Sequence, residues 1–292
     1  MREGNHLLIV DDSVPGAFFR VPIPQPLSPH LPLNGANVEL VSWPEGKLAI
    51  DLEGMDRLAD GRLALLSERL HALVGESGLI VQYDKILAEV AGRGLEGVAV
   101  RALPGEVSRI AVLWEGGYPQ YPYVPLSLKQ AAGRIAMKPL LLVHDLKPYV
   151  SGVTVLRNDA SKFVELNVPV HSGKELEAQR FRAPDLVWSR FHRVGRSEWG
   201  IIALLSSENS GGARVYQYHW LQRFDLDGVP SGPHLDLAIL LPPAIQSLNW
   251  EGIAWFERGK SLVLVHEASQ LQPSSAYILC LPTDWQFEWL EE

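Results

Sequence analysis

Acidic side chains recur at the ends of a repeated unit. Asp51-Leu52-Glu53-Gly54 is followed by Leu63-Ala64-Leu65-Leu66-Ser67-Glu68, and Leu95-Glu96-Gly97 by Ile110-Ala111-Val112-Leu113-Trp114-Glu115. Pro184-Asp185-Leu186-Val187-Trp188 precedes a run ending in Glu208, and Trp250-Glu251-Gly252-Ile253-Ala254-Trp255 precedes one ending in Glu267. Eight carboxylates brought to one face cannot all ionise without cations, positive side chains or raised pKa values. Oxygen-only donors in irregular geometry suit calcium, which takes six to eight oxygen ligands, better than zinc. Glu53, Glu68, Glu96, Glu115, Asp185, Glu208, Glu251 and Glu267 are therefore the candidate metal ligands. A second reading has these carboxylates accepting hydrogen bonds from backbone N–H groups of a neighbouring repeat and fixing its registry.

The elements that would position them are β-hairpins. Turn residues stand midway through each unit, at Asp60-Gly61, Pro104-Gly105, Gly195-Arg196 and Arg258-Gly259. An antiparallel hairpin brings the start of its first strand to the end of its second, so each carboxylate pair is expected at the open end. The 43-residue spacing from Glu53 to Glu96 fits a four-stranded blade. Further strands are expected at Leu79–Asp84, with Leu140–Asp145, Val215–Phe224 and Ala276–Leu281 continuing the other units. The chain reads as an all-β β-propeller in one domain, 1–292, in which N-terminal strands complete the last blade. Helix is expected only at Leu126–Ala132 and Gly173–Gln179. An insertion at about 116–138 leaves directly after Glu115 and is read equally as a lid or as a proline-stiffened surface excursion.

The Glu-Gly and Ser-Glu motifs, with Asn249-Trp250-Glu251-Gly252-Ile253-Ala254, resemble the phytase-like or esterase-like β-propeller group, which includes SdiA-regulated-type proteins. The resemblance implies a five- or six-bladed β-propeller with an acidic channel mouth and calcium as its usual metal. Asp185, followed by leucine, departs from the Glu-Gly pattern. No cluster of lysines and arginines matches a phytase's phosphate-binding face.

Composition narrows the remaining classes. The 292 residues are 47% hydrophobic and 21% charged, which suits a packed globular protein. A net charge of −8 and a pI near 5.6 argue against nucleic acid or an anionic membrane as partner. No apolar run reaches the length of a membrane span, and the first residues lack a signal peptide's apolar stretch, so a cytoplasmic protein is expected. The one cysteine, Cys280, lies in an apolar run and is expected to be buried and inert. The nine tryptophans are read as core.

No G-x-S-x-G elbow occurs, which argues against a serine hydrolase. Ser210-Gly211-Gly212 is a turn rather than a P-loop. His144 and His266 precede carboxylates, but adjacent strand residues face opposite ways, so both are expected in packing. Arg69, His71 and Lys85 are read as solvent-facing. The composite expectation is a divalent-cation site at a channel mouth, with metal-assisted hydrolysis of a small-molecule phosphate or carboxylic ester as its chemistry. The competing expectation is a noncatalytic scaffold that binds a protein partner and holds a structural cation.

Overall fold

The structure, a computed structural model, describes residues 1–24, 26, 28–33, 38–44, 51–83, 94–114, 139–148, 154–155, 163–168, 180–193, 196–208, 216–246, 248–266 and 275–289. The insertion at 116–138, both expected helices, Ser210-Gly211-Gly212 and Lys85 lie outside them. The chain lays down β1 (Arg2–Glu3), β2 (His6–Ile9), β3 (Ala17–Pro22), β4 (His30–Pro32) and β5 (Glu39–Ser42). Next come β6 (Leu52–Arg57), β7 (Leu63–Ser67), β8 (Ala72–Gly75) and β9 (Gly78–Gln82), then β10 (Leu95–Leu103), β11 (Val107–Trp114) and β12 (Leu140–Leu146). The rest are β13 (Thr154–Val155), β14 (Phe163–Glu165), β15 (Arg180–Arg193), β16 (Arg196–Glu208), β17 (Tyr216–Asp225), β18 (Leu235–Asp236), β19 (Trp250–Glu257), β20 (Ser261–His266) and β21 (Ser275–Cys280).

Five sheets form, β1-β2-β3-β5, β6-β7-β8-β9 with β13 outside it, β10-β11-β12-β14, β15-β16-β17-β18 and β19-β20-β21-β4. They are the five blades of a β-propeller. The apolar runs explain why. Each second strand is buried on both faces, and its alternating residues feed two different cores. On β7, Ala64 and Leu66 pack toward blade 3 while Leu63 and Leu65 pack toward blade 1. On β16, Ile202 and Leu204 face blade 5 while Ile201, Ala203 and Leu205 face blade 3. The fifth core joins Leu7, Val21 and Leu31 to Val263, Ala276 and Ile278, and so closes the ring between the first and last blades.

The closure follows the sequence expectation in part. β4 pairs antiparallel with the outer edge of β21, Leu31 opposite Ala276, while the other N-terminal strands build a blade of their own. That blade carries no Glu-Gly copy. Of the strand expected at Leu79–Asp84, Leu79–Gln82 falls in β9, the fourth strand of blade 2, after the short β8. A one-turn helix at Leu237–Leu240, capped by Asp236 accepting from the Ala238 N–H at 2.7 Å, was not foreseen. No helix among the described residues is long and apolar enough to cross a membrane.

Tryptophans tie the blades together. Trp114, Trp188, Trp220, Trp250 and Trp285 are fully buried. Trp188 on β15 donates its indole N–H to the Ala99 carbonyl on β10 at 3.0 Å, and Trp255 on β19 donates to the Trp188 carbonyl at 2.9 Å. His144 meets the hydroxyl of the buried Tyr83 at 3.1 Å across blades 2 and 3, and His266 packs edge-on against Trp250. Both histidines pack against aromatic rings, and His266 also borders the cavity between the inner strands of the blades. Cys280 corrects an expectation. It is exposed as the last residue of β21, although Ile278 on the same face of the strand is buried.

Candidate functional site

β6, β10, β15 and β19 are the innermost strands of their blades, and β1 lies beside β19. They enclose a channel of about 940 Å³. Glu53, Glu68, Glu96, Asp185 and Glu251, five of the eight carboxylates singled out from sequence, line it. Glu208 ends β16, with only its backbone described, and Glu115 and Glu267 lie outside the described residues.

The repeat positions its glutamates by a device that the hairpin argument missed. The ladder slips between Leu52 and Gly54, between Leu95 and Gly97 and between Trp250 and Gly252, so Glu53, Glu96 and Glu251 each occupy a β-bulge. A bulge leaves one residue unpaired and re-aims its side chain. The two carboxylates of a unit are therefore not direct cross-strand partners. The Glu68 N–H donates to the Asp51 carbonyl at 2.9 Å, which places Asp51 opposite Glu68. In the third unit the slip lies between Arg182 and Asp185, and Arg180, rather than Asp185, stands opposite Glu208. Pro184 sits in the bulge, and Asp185 resumes the ladder where the other units have glycine.

That one-residue offset gives Asp185 a different job. Its Oδ2 accepts from the Ile253 N–H at 2.8 Å on the next blade, and its Oδ1 from the Leu186 N–H at 2.7 Å. Asp56, three residues beyond Glu53, likewise accepts from the Val100 N–H at 2.6 Å across blades 2 and 3. Asp185 thus accepts across blades as the registry reading expects, and Asp56, outside the eight candidates, does the same. Gly97 is glycine because a Cβ there would lie 2.8 Å from Asp185 Oδ1 and 2.9 Å from the Asp185 Cα. Gly97→Ala is expected to cost about 1–3 kcal/mol by overpacking, read as a lowered urea midpoint with unchanged slope.

At the mouth, Glu53 gathers with two residues outside the eight candidate ligands. Carboxylate oxygens of Asp12, from the loop after β2, and of Asp51 and Glu53, on blade 2, all lie within 4.8 Å of one another. Asp51 holds φ at 54°, a left-handed conformation uncommon for non-glycine residues, which turns the chain into this cluster. Burial, then the charges of Glu68, Asp12, Asp51 and Glu251, push the Glu53 carboxyl up to about 8. Burial likewise pushes Asp185 up to about 8 against the opposing pull of its two backbone hydrogen bonds, and raises Asp56.

Arg182 also lines the channel. Arg182 Nη1 pairs with Glu251 Oε1 at 3.1 Å, and the Asn249 amide donates to the same oxygen. His219 lies behind them, held neutral near 4 by burial and then by the Arg182 charge. Aromatic rings gather at the far end. Trp289 packs on Trp199, Trp255 and Phe287, with the Arg258 guanidinium 5.0 Å above its ring.

No family model matches the chain, and no curated protein matches it. The five-bladed propeller therefore rests on the sheets themselves, and the site on its own geometry. Asp12 escaped the sequence reading because it belongs to the blade without a repeat copy. Asp51 was visible in the Asp51-Leu52-Glu53-Gly54 motif but was passed over for Glu53. Arg182 carries no motif at all.

Proposed function

We propose that the protein is a propeller of the phytase-like or esterase-like kind whose channel mouth binds a divalent cation, calcium by its donor set, and hydrolyses small phosphate or carboxylic esters there. The cluster of Asp12, Asp51 and Glu53 carries this reading. Three hard oxygen donors from two blades lie close enough for one ion to reach them all, with no nitrogen or sulfur ligand among them. The raised Glu53 carboxyl supports the same conclusion, since such a group holds either a proton or a cation. When bound, the cation would polarise an ester oxygen and lower the pKa of water. Glu68, whose charge already acts on Glu53, is the carboxylate proposed to take the proton. In the competing scaffold reading the same cation is structural and no ester is turned over.

Chelator-stripped protein is expected to gain about 5 °C in Tm when calcium reaches about 100 times its Kd, from about 2.7 kcal/mol of linkage. Calcium-dependent turnover of p-nitrophenyl phosphate or acetate supports the enzyme, and a thermal shift without turnover supports the scaffold. No calcium-dependent shift removes both readings of the cluster.

A further inference from the structure

We infer that the esters taken by this site are carboxylic esters with a hydrocarbon acyl chain, which lies in an apolar cleft between blades 1 and 5 while the ester group reaches the cation site. The inference rests on the cation reading above and names the class of ester. On blades 3 and 4 the described residues that line the channel all lie on the innermost strands, β10 and β15. Between blades 5 and 1 the cavity goes further out, to Val263 and Val265 on β20 and to Phe19 and Val21 on β3. The strand lengths explain the difference. The innermost strand of blade 1, β1, has 2 residues where β10 has 9 and β15 has 14, so the channel meets β2 directly.

Two apolar sheet faces border this cleft. Leu7 and Ile9 stand opposite Val21 and Phe19 in the ladder of blade 1, and Ala254 stands opposite Val263 on blade 5. Period-two alternation puts Val265 on the same face as Val263. These residues belong to one core, yet Ile9, Phe19, Ala254 and Val265 stay half-buried and line the cavity. Protein interiors are packed as densely as organic crystals, so apolar faces that part at one junction leave room for a guest of their own chemistry. The cleft also runs into the acidic mouth. Ile9, Val10, Asp11 and Asp12 all line the cavity, and the chain from Ile9 to Asp12 spans at most about 10 Å. A ligand with its chain against Ile9 therefore has its polar end beside Asp12, Asp51 and Glu53. In the hydrolysis, the oxygen of water bonds to the acyl carbon and the bond from that carbon to the alkoxy oxygen breaks. The alcohol and the acid each leave with one of the water's protons. A phosphate monoester of a polar alcohol has nothing to offer the apolar faces, so the cleft decides between the two ester classes.

The test uses intact protein in calcium, titrated by calorimetry with butanoate, hexanoate and octanoate, the acids such esters release, below the solubility limit of their calcium salts. Each added methylene is expected to raise affinity about fourfold, with a heat-capacity change that grows more negative along the series. p-Nitrophenyl octanoate is expected to be turned over with a lower KM than the acetate. Ala254→Phe, which fills the cleft from blade 5, should flatten the series, while its calcium-dependent Tm shift survives and reports an intact fold and cation site. Val265→Thr, which sets a hydroxyl on the cleft wall, should lower octanoate affinity about two- to tenfold and carries the test if the phenylalanine variant does not fold. Affinity that ignores chain length, or a series that both variants leave unchanged, overturns the inference while the calcium shift keeps the cation site standing. Octylamine bound more tightly than octanoate gives the cleft to an organic cation and overturns it as well, and so does the absence of turnover with both esters. A missing calcium shift in the wild type overturns the cation reading and this one together.

Discussion

Stripped of divalent cations, the protein is expected to lose stability as pH rises from about 4.5 to about 8. Glu53 and Asp185 are both raised to about 8 in the folded chain, above their ordinary carboxylate values of 4.5 and 3.8. Across that window the unfolded chain has released these protons and the folded chain still holds them. Stability is therefore greatest below the unfolded values and is lost as pH climbs through the folded ones. Each group contributes a slope of at most about 1.4 kcal/mol per pH unit. Solvent entering the channel mouth screens Glu53 and reduces its share, which leaves a few kcal/mol in all, or about 5–10 °C in Tm between pH 5 and pH 8. Calcium should restore more at the upper end of the range than at the lower, because there it meets carboxylates already free of protons. A Tm in chelator that stays flat or rises over this range would refute the burial of these charges.

The double substitution Asp12→Asn with Asp51→Asn separates a binding cluster from a structural one. Asparagine accepts the left-handed conformation held at position 51, so the backbone is preserved while two of three charges disappear. In chelator the variant should be more stable than wild type, since both charges help to raise Glu53. In calcium it should be less stable than wild type, with the cation-dependent shift abolished. This crossing of the two Tm values is the expected signature of a site whose unliganded state is destabilised for function. A variant less stable than wild type in chelator, with its calcium shift intact, assigns Asp12 and Asp51 to structure. Asp145→Asn, which removes a carboxylate paired with Arg109 on the outer part of blade 3, should leave the shift unchanged.

The blade architecture was legible because strands buried on both faces must be written as continuous apolar runs, as in Leu63–Ser67 and Ile201–Leu205. The glutamate repeat was legible for the same reason, being a rare polar interruption at a fixed place. What stayed hidden depends on register. Whether Glu53 pairs across the ladder or bulges from it is decided by backbone geometry, and residue type alone does not reveal the slip at Leu52 and Gly54. Asp185 was assigned to the glutamate position and stands one place later, because Pro184, lacking an N–H, takes the unpaired place. The first blade was the larger omission. Its short strands repeat none of the motif, which left the blade count open and kept Asp12 out of the site.

The latch formed by β4 sets an order of events during synthesis. His30–Pro32 leaves the ribosome well before its partners Ser275–Tyr277, by an interval on the order of tens of seconds at ordinary elongation rates. Through that interval the nascent chain carries an unmatched edge and an open fifth core, the condition under which strands recruit foreign partners. Once the latch closes, no blade remains terminal, and loosening any one of them exposes two cores instead of one. The finished ring is then expected to come apart as a unit, whereas an open stack of the same sheets could peel from its ends.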